Sequence, residues 1–168
     1  MAQPVINIDD AQSFPMVPDT GSDRFGAVIA PLSDALGLTR LGMTVIEVAP
    51  GKRAFPYHNH LGIDEAFVIL SGTGTYRFGD RELPITAGDV CSAPRGGADV
   101  AHQIINSGDA PLRYLGISSR QDPDVVEYPD SGKYAAMAIW PGTSFFDAHL
   151  KVVGRKEDTL DYWDGEDT

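Results

Sequence analysis

The sequence has little that would anchor it in a membrane or cross-link it. Its single cysteine, Cys91, has no partner for a disulfide within the chain. The longest uninterrupted apolar run covers only residues 134–140, far short of the roughly 20 residues that a membrane-spanning helix requires. The N-terminus shows no basic start followed by an apolar stretch, so no export signal is recognisable. These absences predict a cytoplasmic protein that does not enter membranes.

Positive charge is also scarce. Lys and Arg together number 13 against 24 Asp and Glu, which leaves a formal net charge of −11 at pH 7. Such a surface repels the phosphates of nucleic acids and the headgroups of anionic bilayers. We therefore expect a small-molecule substrate or ligand as partner, and neither nucleic acid nor a membrane.

Glycine and proline, by contrast, are abundant, with 18 and 12 among 168 residues. Both residue types weaken helix interiors, so a helical bundle would tolerate few of them. Short β-branched and aromatic runs separated by glycine-containing turns indicate a sandwich or barrel of strands instead. The length suits one domain, so we predict a single all-β domain over residues 1–168. The candidate strands cover residues 43–48, 65–70, 75–78, 90–93, 102–105 and 112–117.

The two ends of the chain lack the regular pattern of the middle. Residues 1–25 contain several prolines and little periodicity, and we interpret them as an extended N-terminal arm. We interpret residues 121–168 as a C-terminal extension with outer strands at 125–128 and 137–140. The last part, residues 157–168, is rich in carboxylates and typical of a solvated tail.

Three of the four histidines lie where a fold could bring their side chains together. His58 and His60 are two residues apart, and side chains at i and i+2 of an extended strand project from the same face. Glu65 opens the next strand after a turn at residues 61–64, which would return its carboxylate toward both rings. His102 begins a strand much later in the chain. Neutral imidazole is the commonest protein ligand for mid-row metals, so a metal site competes here with ordinary hydrogen-bonded histidines.

The spacing around these residues forms two recognisable clusters. The first is Gly51, His58-x-His60, Glu65 and Gly72, and the second is Gly88, Pro94-x-Gly96, His102 and Asn106. Together they resemble the two sequence motifs of the cupin superfamily, over about residues 45–118. The first cluster has an extra residue before His58, and the second has an insertion at residues 97–99 before His102.

The resemblance implies a double-stranded β-helix, or jelly-roll, cupin barrel whose metal-binding core covers residues 40–118. The residues that match the family's metal ligands are His58, His60, Glu65 and His102. Three neutral imidazoles and one carboxylate leave a divalent ion with open positions for water or substrate. The donor set does not choose among iron, manganese, nickel, cobalt, copper and zinc.

A second group of residues is interpreted as a substrate pocket around the ion. Phe67 shares the strand face of Glu65, and Ile104 shares that of His102. Arg53 and Arg95 are the basic residues nearest the motifs and could hold a carboxylate or phosphate, although surface salt bridges are the commoner role. The full candidate set is Arg53, Tyr57, Phe67, Tyr76, Arg95 and Ile104.

The resemblance leaves three functions open, because related cupins differ widely in activity. The first is a small metal-dependent enzyme that acts on a polar metabolite such as a sugar or sugar phosphate, with isomerisation as the specific form. The second is an iron-dependent dioxygenase. The third is a non-catalytic cupin that binds or senses a ligand.

A homodimer is also expected, as in many small cupins. The apolar run at residues 134–140 and the adjacent aromatics Tyr162 and Trp163 lie outside the motifs. Large apolar side chains of this kind usually pack against another surface.

Overall fold

The computed structural model describes residues 2–19, 21–139 and 148–166, and the regular secondary structure of these residues is almost exclusively β-strand. The all-β prediction is thus confirmed. Within these ranges the helix α1 (Ser33–Leu36) is a single turn, and no helical segment has the length and apolarity to traverse a bilayer. The strands are β1 (Phe14–Met16), β2 (Ala27–Pro31), β3 (Leu41–Val48), β4 (Asn59–His60), β5 (Glu65–Ser71), β6 (Thr73–Phe78), β7 (Arg81–Thr86), β8 (Val90–Ala93), β9 (His102–Ile105), β10 (Leu112–Ser119), β11 (Asp124–Tyr128), β12 (Lys133–Ala138) and β13 (Leu150–Arg155).

The first layer is a six-stranded antiparallel sheet with the strand order β1-β2-β3-β10-β5-β8. Its two central strands, β3 and β10, pair along their whole length, from Val48 opposite Leu112 to Leu41 opposite Ser119. Strand β5 then pairs with β10 on the other side, and it carries Glu65 at its first position.

The second layer consists of the three-stranded sheet β7-β6-β9 and the four-stranded sheet β13-β12-β11-β4. Residues 53–58 join the two sheets. The N–H of Ala54 donates to the carbonyl of Ile104 (3.2 Å), and His58 and His102 exchange both backbone hydrogen bonds. The segment then continues directly into β4, so β9 and β11 are linked through one stretch of chain.

The hydrophobic core lies between the two layers. Ile46, Ile69 and Tyr114 from the first layer belong to one buried cluster with Tyr76 and Ile104 from the second. Each buried side chain of this size stabilises the fold by roughly 1.5–3 kcal/mol. The arrangement is the double-sheet jelly-roll that was predicted.

The candidate strands of the middle region are all present, and several extend slightly beyond the predicted limits. Strand β7 was not predicted, because Arg81, Glu82 and Pro84 interrupt its apolar pattern. It lies at the edge of its sheet and pairs only with β6, where Pro84 is opposite Thr75. An edge strand accommodates a proline because one side of its backbone needs no partner.

The N-terminal arm packs against the outer face of the first layer. Ile6 and Ile8 contact a small cluster that includes Val45 of β3. Arg113 of β10 holds the arm by donating to the carbonyl of Ile8 (3.0 Å) and by pairing with the carboxylate of Asp9. Part of the predicted arm is also a strand, since β1 pairs with β2.

The C-terminal extension contributes strands to the second layer. The predicted strand at 125–128 is present as β11, whereas the next strand begins at Lys133 and ends at Ala138. It begins earlier because Gly132, with φ of 64°, closes a tight turn after β11. Of the rest of the predicted strand, Ile139 is not part of β12, and Trp140 lies outside the described residues. In the tail, Tyr162 and Trp163 are 83% and 68% exposed, as a solvated tail would be.

Gly72, between β5 and β6, provides a test of the packing of this turn against the start of β10. Its φ is +85°, and an added Cβ would lie 2.5 Å from the carbonyl oxygen of Pro111. Gly51 has a similar φ of +76° but open space around it. We expect Gly51→Ala to lower the free energy of unfolding by about 1 kcal/mol through backbone strain, and Gly72→Ala to lower it by about 1–3 kcal/mol more. Urea unfolding of the two variants would measure the difference, and equal losses would contradict the packing.

Candidate metal centre

Backbone pairing aligns two of the histidines. His58 donates its N–H to the carbonyl of His102 (3.1 Å), and His102 donates its N–H to that of His58 (2.7 Å). Residues paired in this way direct their side chains to the same face of the sheet. The two ring centroids are consequently 4.5 Å apart, and His60, two residues further along, shares this face.

The turn at residues 61–64 carries the chain from the second layer to the first. Leu61 donates its N–H to Val125 (2.8 Å), and Ser119 donates its N–H to Asp64 (2.9 Å), which fixes both ends of the turn. Glu65 therefore enters the interior from β5, on the layer opposite the histidines. As predicted, its carboxylate points back toward the imidazole rings.

The three imidazoles converge on one carboxylate oxygen of Glu65. Oε2 of Glu65 lies 3.8 Å from Nε2 of His58, 3.3 Å from Nε2 of His60 and 3.2 Å from Nε2 of His102. All four side chains are at least four-fifths removed from solvent. The donor atoms of His58, His60 and Glu65 all lie within 4.8 Å of one another, and His102 adjoins this group through Glu65.

The outer ring nitrogens are held by other acceptors. Nδ1 of His58 lies 2.7 Å from the carbonyl of Pro56, and Nδ1 of His60 lies 2.6 Å from Oδ2 of Asp124. A proton on Nδ1 leaves the lone pair of Nε2 directed inward, which is the tautomer that binds a metal. Nδ1 of His102 is buried and has no hydrogen-bond partner among the described residues.

The surroundings set the ionisation of the cluster. Burial, followed by the charge of His102, lowers the pKa of His58 to about 4. Burial also lowers the pKa of His60, but the hydrogen bonds with Asp124 and Glu65 outweigh it and raise that pKa to about 9. Although burial raises the pKa of Glu65, hydrogen bonds with His102 and His60 hold it well below its usual range. Glu65 is thus anionic at neutral pH.

The donor set fits a divalent metal ion. A single carboxylate oxygen has two lone pairs and so accepts two good hydrogen bonds. Three Nε2 atoms surround Oε2 of Glu65, which is one more than hydrogen bonding alone would use. Three imidazoles and one carboxylate match the preferences of zinc and the mid-row transition metals. The four residues that the sequence predicted as ligands therefore lie together in space, and their binding of an ion remains a prediction.

Asp124 belongs to this site although no sequence motif indicated it. It is 8% exposed, and its second oxygen, Oδ1, accepts the N–H of Gly62 (3.0 Å). The carboxylate therefore contacts His60 and the turn that leads to Glu65. The sequence shows here only a carboxylate at the start of a predicted strand. That feature does not indicate that β11 pairs with β4.

The predicted pocket residues fall into two groups. The ring centroids of Phe67 and Tyr76 lie 5.5 Å and 6.3 Å from that of His102, and Ile104 is buried in the same core cluster. The hydroxyl of Tyr76 donates to the carbonyl of Ser92 (2.9 Å). These three residues form apolar walls close to the histidines.

Arg53, Tyr57 and Arg95 lie elsewhere. Arg53 pairs with Ile105, which alternates with the inward-facing residues of β9. The hydroxyl of Tyr57 donates to the carbonyl of Gly79 (2.8 Å), and the guanidinium of Arg77 lies 3.5 Å from its ring centroid. Arg95 is exposed. None of the contacts found for these three residues joins them to the histidine cluster within the described part of the chain.

The fold and the cluster define a double-sheet jelly-roll protein with a candidate metal site. A cupin domain model matches residues 44–118. A candidate sugar phosphate isomerase from Acidithiobacillus ferrooxidans is 30% identical, and the match covers 92% of this chain and 91% of that one with a TM-score of 0.76. The chain belongs to the cupin superfamily.

Other relatives are similar over different extents. A sugar phosphate isomerase of the cupin superfamily from Silicibacter pomeroyi has the same fold, with 23% identity, a TM-score of 0.75 and coverage of 96% and 98% of the two chains. An oxalate-binding protein from Thermotoga maritima is 37% identical over 60 residues, or 36% of this chain and 47% of that protein. Auxin-binding protein 1 from Arabidopsis thaliana is 29% identical over 128 residues, or 68% and 62%. The chain thus spans less than two thirds of the last two proteins.

The contact between Asp124 and His60 predicts an effect on metal affinity. Asp124→Asn keeps the size of the side chain but removes the charge that orients His60. We expect the affinity for Zn²⁺ to fall about 10- to 100-fold, as for other carboxylates behind a ligating histidine. Asp130→Asn is the matched control, because Asp130 pairs with Arg77 (2.7 Å) and belongs to no contact of the cluster. Competition with a chelator measures both affinities, and equal values for the two variants would contradict the role of Asp124.

The raised pKa of His60 predicts proton release on metal binding. With a pKa of about 9, this imidazole carries a proton at neutral pH that the ion must displace, whereas His58, with a pKa of about 4, is already neutral. Affinity should therefore rise by up to about tenfold per pH unit below pH 9 and level off above it. Calorimetry in buffers of different ionisation enthalpy should show about one proton released near neutral pH. No proton release under that condition would contradict the assignment.

Proposed function

We propose that the chain is a metal-dependent enzyme that acts on a sugar or sugar phosphate, with isomerisation as the reaction. The observation that carries this proposal is the convergence of three imidazoles on the carboxylate of Glu65 inside the jelly-roll. Support also comes from the 30% identity with the Acidithiobacillus ferrooxidans protein along nearly the whole of both chains.

The proposed ligands are Nε2 of each histidine and the carboxylate of Glu65, on His58, His60, Glu65 and His102. A divalent ion held by them would act as a Lewis acid toward a carbonyl oxygen of the substrate. The ion could be iron, manganese, nickel, cobalt, copper or zinc. Asp124 and the carbonyl of Pro56 orient two of the rings, so the ligand geometry would be preformed.

The residues around the cluster suit a polar substrate in a dry site. Phe67 and Tyr76 exclude water on the side of His102, and a water-poor site strengthens electrostatic interactions with the reacting group. Tyr128 lies on the other side, with its ring centroid 6.2 Å from that of His58. Burial, with the charge of Asp124, raises the pKa of this phenol, so Tyr128 stays neutral and can donate a hydrogen bond to a substrate oxygen.

A non-catalytic ligand-binding protein is the second candidate. It is supported by the partial match to the oxalate-binding protein of Thermotoga maritima. The cluster would serve either function, because an ion with open positions also binds an anionic ligand. An iron-dependent dioxygenase would use the same donors, and the identity of the metal distinguishes it.

We also propose a cytoplasmic homodimer. The support for self-association is the exposed apolar surface of the C-terminal extension, where Val153 of the edge strand β13 is 58% exposed and Trp163 is 68% exposed.

Elemental analysis of untagged protein, followed by assays of the metal-loaded form, tests the proposal. We expect about one divalent ion per chain and interconversion of an aldose phosphate with its ketose. His58→Ala combined with His102→Ala should abolish both while most strand signal in circular dichroism remains. His149→Ala, a histidine outside the cluster, is the control.

Three outcomes would contradict the isomerase. A double variant that retains one equivalent of metal would place the ion elsewhere. Iron together with substrate-dependent oxygen uptake would indicate a dioxygenase. Thermal shifts with a panel of sugar phosphates, but no turnover with any metal, would favour the binding protein.

A further inference from the structure

One face of the C-terminal sheet continues the interior surface that carries the histidines. His60 is paired with Val126 of β11, so both side chains point to the same side. By alternation, Asp124 and Tyr128 share that side, and their contacts agree with it. Asp124 hydrogen-bonds His60 (2.6 Å), and the ring of Tyr128 lies beside His58.

Two cations extend this face beyond Tyr128. In the antiparallel register Tyr128 is opposite Lys133 of β12, and Lys133 is opposite Arg155 of β13. The three side chains therefore stand in a row on the same side of the sheet. Nζ of Lys133 lies 5.4 Å from the ring centroid of Tyr128, and Nη1 of Arg155 donates to the carbonyl of Ser131 (2.6 Å).

The proximity of Lys133 and Arg155 lowers the stability of the fold unless an anion binds beside them. Like charges directly opposite each other on neighbouring strands are destabilising. Neither Lys133 nor Arg155 has an ion pair with a carboxylate within residues 2–19, 21–139 and 148–166. Lys156, one residue further along, pairs with Glu127 (3.2 Å). Although the chain has 24 acidic residues, two adjacent cations next to Tyr128 thus have no carboxylate partner among the described residues.

The hydroxyl of Tyr128 adds a third donor. Its oxygen has no hydrogen-bond partner in the described part of the chain. An ammonium, a guanidinium and a neutral phenol supply charge-assisted and neutral hydrogen bonds of the kind that hold a phosphate group.

We propose that Tyr128, Lys133 and Arg155 form an oxyanion subsite that binds the phosphate monoester of the substrate. The carbonyl end of the same molecule then lies at the histidine cluster, on the far side of Tyr128. This inference rests on the proposed sugar phosphate function and assigns its phosphate-binding residues. No bond is formed or broken at the subsite, which contributes binding and orientation.

The test compares removal of the subsite residues with removal of a nearby cation that is already paired. Lys133→Met with Arg155→Met removes both charges of the subsite, and Tyr128→Phe removes the hydroxyl. Lys156→Met is the matched control, because it removes a cation just after the end of β13 that is already paired with Glu127. Calorimetry with metal-loaded protein would measure the binding of fructose 6-phosphate, fructose, inorganic phosphate and oxalate, and elemental analysis would monitor metal content.

We expect the double variant to bind fructose 6-phosphate and inorganic phosphate about 10- to 100-fold more weakly, the loss expected for charge-assisted hydrogen bonds. Tyr128→Phe should weaken both by a smaller factor. Metal content and the binding of fructose, which has no phosphate, should stay unchanged in the double variant and in Lys156→Met. A steeper loss of affinity with added salt in the wild type than in the double variant would further support the subsite.

Several results would overturn the subsite. One is an equal loss of phosphate affinity in the double variant and in Lys156→Met. Another is the absence of phosphate binding in the wild type. A third is oxalate binding that depends on Lys133 and Arg155 while phosphate binding does not. Failure of the proposed function has a different signature. If no sugar phosphate is converted while phosphate binding still depends on Lys133 and Arg155, the subsite stands and the isomerase does not.

Discussion

The structure depends on a polar cluster in the middle of an apolar interior. Glu65 approaches from the first layer and meets His58, His60 and His102 from the second, with its Oε2 within 3.8 Å of each ring. Burying four ionisable groups is costly unless they compensate one another or bind a metal. Interactions between the carboxylate and the imidazoles hold the two layers at a fixed separation here. A divalent ion would take over this role with stronger bonds, which is why the cluster is the centre of the functional proposal.

The C-terminal extension completes the site as much as the motif region does. Strand β11 pairs with β4, the strand of His60, and brings Asp124 against that ring and Tyr128 beside His58. Asp124 also accepts the N–H of Gly62. The cupin domain model ends at residue 118, so these contacts come from a part of the chain that the family motifs do not describe. The orientation of His60 and the proposed recognition of a substrate anion both depend on the pairing of this added sheet.

The sequence predicted those features that depend on local spacing. Alternation within a strand placed His58 and His60 on one face, and the turn at residues 61–64 returned Glu65 toward them. His102 was added only by the resemblance to the cupin motifs. The contribution of Asp124 was not predictable, because it depends on the register between β4 and β11, two paired strands that are far apart in the sequence.

The directions of the side chains at residues 53–58 were difficult to predict, because the backbone there is irregular. Residues 53–58 pair with β9 through isolated bridges, so Arg53 is aligned with Ile105 while His58 is aligned with His102. Ile105 and His102 are three residues apart on β9, so Arg53 and His58 lie on opposite faces. Pro56 lies between them and removes one backbone donor. The basic residues of the proposed subsite, Lys133 and Arg155, come instead from strands whose sequence pattern gave no indication of a site.

The most direct test of the metal centre is a crystal structure of the metal-loaded protein with anomalous diffraction recorded at the absorption edge of the bound element. The expected result is one strong anomalous peak within roughly 2.0–2.3 Å of Nε2 of each of the three histidines and of a carboxylate oxygen of Glu65. A peak at any other group of residues, or histidine rings that remain hydrogen-bonded around Glu65 in protein that carries one equivalent of metal, would contradict this structure of the site.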